Sequence, residues 1–247
     1  MSETSNTPDP HTPSKSNQGH RTPAHVYAAQ RDWPAYFDVV AGKSARETLI
    51  AALDAFEKEG MPGSEGLGDQ QPRPLAIDLG CGEGRDTVEL LRRGWRVLAI
   101  DGHPDAITRL KARPDLVHEE RLTIKHAPFE GLSLPKARFI NASFCLPFCH
   151  PDHFDALWQQ IVDAIEPGGR FAGQFFGDRD DWATIPDRSH QTRAQVQSLL
   201  GGFEIELFEE VEDDGNDALK NPKHWHRFDV VAKKCTQIEH TAPAQLG

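Results

Sequence analysis

From Leu75 onward the chain alternates short apolar runs with amphipathic ones, and that alternation leaves few folds open. LAIDL, RVLAI, LTIKHA, RFINAS and RFAGQFF read as strands. RDTVELLRRG, HPDAITRLKAR and DHFDALWQQIVDAI read as the helices between them, and TRAQVQSLL as a later one. Strands alternating with helices imply a largely parallel sheet covered on both faces, an α/β, doubly wound architecture. FEIELFEEVE and HRFDVVAKK follow one another with no helix between, so they are expected to pair as an antiparallel edge hairpin. The expected sheet is therefore seven-stranded and mainly parallel.

Outside this region the chain divides by composition. Residues 1–24 are Ser, Thr, Pro, Asn and His with almost no apolar side chains, too little to offset ordering entropy, and are expected to be a disordered tail. Residues 25–70 hold an aromatic stretch, a helix through Leu49, Leu53 and Phe56, and a Gly/Pro-rich linker, an N-terminal helical cap. The α/β domain is placed at 71–235 and a flexible tail at 236–247.

A formal net charge of −11 repels phosphate backbones, so no nucleic-acid partner is expected. No apolar stretch approaches the roughly 20 residues that span a bilayer, so no membrane partner is expected. The polar N-terminus lacks the apolar segment of a signal peptide, and the four scattered cysteines fit a reducing compartment. The expectation is a cytoplasmic protein acting on a small-molecule substrate.

The chemistry lies in Asp78-Leu79-Gly80-Cys81-Gly82-Glu83-Gly84, at the carboxyl end of the first strand. Ligands of open α/β sheets bind at that end. A dinucleotide loop wants G-x-G-x-x-G aimed at a pyrophosphate. Here the glycines fall as G-x-G-x-G, and Asp78 would repel phosphate but suit a cation. Asp101 ends the second strand, where a carboxylate accepts ribose hydroxyls.

D-x-G-x-G-x-G with the second acid closely resembles the first motifs of class I S-adenosylmethionine-dependent methyltransferases. RDTVELLRRGWRVLAIDGHPDAI is most similar to small-molecule enzymes of the tellurite-resistance and thiopurine kind. The resemblance implies a Rossmann-like methyltransferase fold and S-adenosyl-L-methionine as cofactor. It implies a binding set of Asp78, Gly80, Cys81, Gly82, Asp101, Gly102, Phe129, Glu130 and Asn141. The Asn-Pro-Pro-Tyr type clamp of DNA and protein methylases is missing from FINASFCLPFC. Two other readings stand beside it: a non-catalytic S-adenosylmethionine-binding module and an NAD-binding oxidoreductase.

For the acceptor, Trp33, Tyr36, Trp182 and Trp225 are expected to enclose a compact apolar pocket, and a soft nucleophile such as a thiol or metalloid would need no enzymic base. Asp178, His224 and His226 are the candidate bases otherwise. KHWHRF is expected to be a loop before the last strand with both histidines solvated, and EEVEDDG a solvated turn. CLPFCHPDH, with Cys145, Cys149, His150 and His153, lacks a clean zinc spacing, so no metal is expected; it reads as a loop and a helix start capped by Asp152.

Overall fold

A computed structural model describes residues 31–61 and 73–236. The two expected tails fall outside the described residues, apart from Thr236. Helices α1 (Trp33–Val40) and α2 (Glu47–Lys58) precede the sheet. The domain then runs β1 (Leu75–Leu79), α3 (Arg85–Arg92), β2 (Arg96–Asp101), α4 (Pro104–Lys111), β3 (Leu122–His126) and β4 (Ala137–Ala142). It continues with α5 (Pro151–Ala164), β5 (Ile165–Gly177), β6 (His190–Gln191), α6 (Arg193–Leu199), β7 (Phe203–Asn216) and β8 (Pro222–Lys234).

The strand order is β3-β2-β1-β4-β5-β8-β7, with β6 pairing β5 off this path. Strands β1 to β5 run parallel, and β8 is antiparallel to β5 and to β7. The main path has the seven expected strands. The eighth, β6, is two residues long and continues the sheet beside Phe176 and Gly177.

The alternation along each strand sorts the core into two layers. Ile77, Leu79 and Ile140 face α5, where Phe154, Leu157, Trp158 and Ile161 supply the covering stripe. Ala76, Val97, Ala99 and Phe139 face the opposite layer, built from Leu49, Leu53 and Phe56 of α2 with Leu90 and Leu91 of α3. The N-terminal helices are thus part of the packed body.

Four local readings change. The acidic run EEVEDDG lies within β7, paired residue by residue with β8 as far as Asn216 and Pro222. Cations make that strand tolerable: Glu210 accepts from Arg179 at 2.9 Å and Arg193 at 2.5 Å, and Glu212 accepts from Arg179 at 2.7 Å. KHWHRF is likewise inside β8, where period-two alternation buries His226 completely. The strand expected at RFAGQFF begins earlier, at Ile165, so that Glu166 to Gly169 belong to β5, where the register with β4 shifts between Ala137 and Phe139. The α5 cap is His150, whose Nδ1 accepts the Asp152 N–H at 3.2 Å, with Asp152 in the first turn.

One buried cation ties α2 to the sheet. Arg170 of β5 is 1% exposed and donates to Glu59 and Glu206 at 2.6–2.7 Å, with its guanidinium 4.3 Å from the Phe56 ring centre. The Arg170 hydrogen bond, with Lys233 beside it, holds Glu59 down at about 2 from 4.5. That contribution is complete above 4.5 and lost as pH falls towards 2. Arg170→Met should cost about 3 kcal/mol in urea melts, the low end for breaking a buried pair, because both acids keep some water. The same variant should show a shallower loss of stability in acid.

Candidate active site

β1 lies where the strand order turns back, with β2 on one side and β4 on the other. A crevice opens there, at the carboxyl ends of the strands. The chain leaves β1 through Gly80, at φ +67°, where a Cβ would overlap Cys145. Only glycine fits both the backbone and the space. The loop then meets α3, with Gly84 at the cap and Asp86 in the first turn.

A cavity of about 760 Å³ occupies this crevice. At one end it is bounded by Gly80, Gly82, Asp101, Gly102, Phe129 and Glu130. Asp101 accepts the Gly82 N–H at 2.9 Å through one oxygen and the His103 N–H at 2.7 Å through the other. Each oxygen keeps lone pairs for a further donor. Burial pushes its carboxyl upward, and the two backbone donors oppose that.

The far end is aromatic. Trp33, Phe148, Trp182, Trp225, Phe176 and Phe144 form a continuous wall, with successive ring centres 4.8 to 6.2 Å apart. All four aromatics expected at the acceptor pocket line the cavity, Tyr36 beside Trp33. Phe144, Phe148 and Phe176 were not singled out in the sequence. The first two follow β4 in FINASFCLPF, at the carboxyl edge where ligand contacts gather. Phe144 sits at φ +52°, strained for a side chain with a Cβ, and its N–H donates to Gln174 Oε1 at 3.0 Å.

Three of the expected cofactor residues face elsewhere. Asp78 is 1% exposed and turned inward, accepting from Thr87 Oγ1 at 2.5 Å and Asn141 Nδ2 at 2.9 Å. Asn141 is wholly buried and also donates to Asp86 at 3.1 Å. The Cys81 thiol is buried beneath the loop, and burial raises it well above its ordinary value.

None of the candidate bases lines the cavity. His226 is sealed behind Gly177, with Nδ1 accepting the Arg179 N–H at 3.1 Å and Nε2 at 3.0 Å from Glu210. His224 is pinned by Asp214 at 2.7 Å, which raises its pKa with help from Glu212. Asp178 is half exposed beside Arg179, and its carboxylate lies 3.6 Å from His226. Cys145 and Cys149 pack into the core under α5. The described residues contain no group of three or more His, Cys, Asp or Glu able to hold a metal.

Residues 76–169 match a family model described as a methyltransferase domain. Over that segment the chain is similar to a methyltransferase domain. The chain is 27% identical to a carboxy-S-adenosyl-L-methionine synthase from Yersinia pestis (strain Pestoides F) over 104 residues, 40% of this chain and 39% of the relative. The chain thus aligns with about two fifths of the length of that curated relative. Its fold is similar to TehB from Haemophilus influenzae, with TM-score 0.60 and 15% identity over 82% of this chain and 67% of the other. It is also similar to the 1,6-didemethyltoxoflavin-N1-methyltransferase of Burkholderia thailandensis, with TM-score 0.56 and 21% identity over 93% and 100%.

Burial, then the neighbouring Asp86, raises Asp78 from 3.8 to about 7. A raised carboxyl binds its proton more tightly in the folded state, so this group removes stability as pH climbs from 3.8 towards 7. In Asp78→Asn that loss is absent. Urea melts at about pH 5 and pH 8 should therefore show a more favourable change with rising pH in the variant than in the wild type.

Proposed function

We propose that this chain transfers a methyl group from S-adenosylmethionine to a small-molecule acceptor. The observation that carries this reading is a single cavity with a glycine loop and Asp101 at one end and an aromatic wall at the other. The acid end suits a nucleoside without phosphate. Asp101 has acceptor capacity left for two ribose hydroxyls, and Phe129 and Glu130 flank the position of an adjoining base. A pyrophosphate fits badly, because the α3 N-terminus carries buried Glu83 and Asp86 rather than free N–H groups alone. That argues against the NAD reading.

The bound cofactor would supply an activated methyl on a good leaving group. The protein's share is then position and exclusion of water. Gly80 and Gly82 let the backbone approach, Asp101 orients the ribose, and the Trp33–Trp225 wall closes the acceptor side. Asp78 acts from below: through Thr87 and Asn141 it holds α3 and β4 against β1, which fixes the loop that the cofactor touches.

That neither His224 nor His226 lines the cavity favours an acceptor that arrives already nucleophilic, such as a thiolate or a metalloid oxyanion. Asp101→Ala should weaken S-adenosylhomocysteine binding by roughly ten- to a hundredfold, as expected for losing a charge-assisted hydrogen bond. Calorimetry on the folded variant measures it, and unchanged affinity would remove the ribose assignment. His224→Gln should retain methyl transfer to a thiol across pH with labelled cofactor. A collapse with intact cofactor affinity would mean that an enzymic base is needed.

A further inference from the structure

We infer that the acceptor is a planar aromatic anion, an inference that rests on the methyltransferase reading and names its substrate class. The first observation is the charge of the cavity. The chain as a whole carries −11, yet the cavity lining inverts that sign. Lys43, Arg46 and Lys220 line it, and among the described residues none of the three has a carboxylate within 4.0 Å. The Arg46 side chain donates to the Tyr36 hydroxyl at 3.4 Å and lies 4.2 Å from the Phe144 ring centre. Arg85 stands close enough for the two guanidiniums to repel each other.

The acids on the lining do not answer these cations. Asp32 caps α1 by accepting the Ala35 N–H, and Asp217 accepts from Asn221 through both oxygens. Asp101 and Glu130 lie at the nucleoside end. S-adenosylmethionine adds a sulfonium and an ammonium against one carboxylate, so a loaded cavity becomes more positive. An anionic acceptor offsets that surplus, and a cationic one compounds it.

The second observation is behind the aromatic wall. Lys223 of β8 is 3% exposed and ion-paired with Asp180. Its Nζ lies 3.9 Å from the Trp225 ring centre, 4.2 Å from Trp182 and 5.2 Å from Phe176. The buried side of these rings is thus already occupied by a cation, and their cavity side is left for a flat ring to stack on. The wall selects a planar aromatic ligand and the lining selects its charge.

The test uses the protein loaded with S-adenosylhomocysteine and three matched probes: 2-naphthoate, 2-naphthamide and 2-naphthylmethylammonium. Quenching of the wall tryptophans reports binding. S-adenosylhomocysteine calorimetry comes first, and failure to bind it sinks the methyltransferase reading itself. With it bound, 2-naphthoate should bind about tenfold or more tightly than 2-naphthamide, the scale of one charge-assisted contact, with the ammonium weakest. Arg46→Gln should shrink the naphthoate preference while leaving naphthamide affinity in place. Equal binding of naphthoate and naphthamide in the wild-type protein, or a preference for the ammonium, overturns the inference.

Discussion

The floor of the cleft depends on one buried run of hydrogen bonds. Asp78 accepts from Thr87 and Asn141, Asn141 donates onward to Asp86, and Asp86 accepts the Arg46 backbone N–H at 3.0 Å. Four segments meet there: β1, α3, β4 and the residue that opens α2. Burying carboxylates so close together is costly unless each lone pair finds a donor. The result is a loop held rigidly from beneath, while its upper surface stays free for ligand. Asp78 therefore positions the site without lining the cavity.

The other end of the cavity depends on a hairpin. β7 and β8 run well past the β5 pairing, and their extension carries Trp225 to the wall and Lys223 behind it. Such an extension of acidic strand needs charge balance, which Arg179 and Arg193 supply from the segment after β5 and from α6. Asp180 joins the two layers. It accepts from Trp182 N–H and His226 N–H and pairs with Lys223, so the turn after β5 and the last strand move as a unit. The wall's geometry follows from these contacts more than from the aromatic rings themselves.

α1 closes the remaining side. Trp33 reaches Phe148, with ring centres 4.8 Å apart, and Phe37 packs over the loop at Gly82. Arg109 of α4 holds Asp38 at 2.6 Å, which ties α1 to α4 near the Asp101 end of the cavity. The aromatic N-terminal stretch thus becomes one side of the enclosure.

The strand–helix alternation determined the sheet by itself, because period-two and period-3.6 burial is a local property of the chain. The spacing of Asp78, Gly80, Gly82 and Asp101 determined where the cleft lies and what kind of ligand suits it. The tertiary structure decided which way the polar groups face. Asp78 and Asn141 turn inward, His226 is sealed in the hairpin, and the acidic run becomes strand, since each outcome depends on partners distant in sequence. Lys223 and Arg46 carry no motif. One acquires its place from cross-strand register and the other from the packing of α2. The charge of the cavity, opposite to that of the chain, arises only when the fold gathers Lys43, Arg46 and Lys220 around one space.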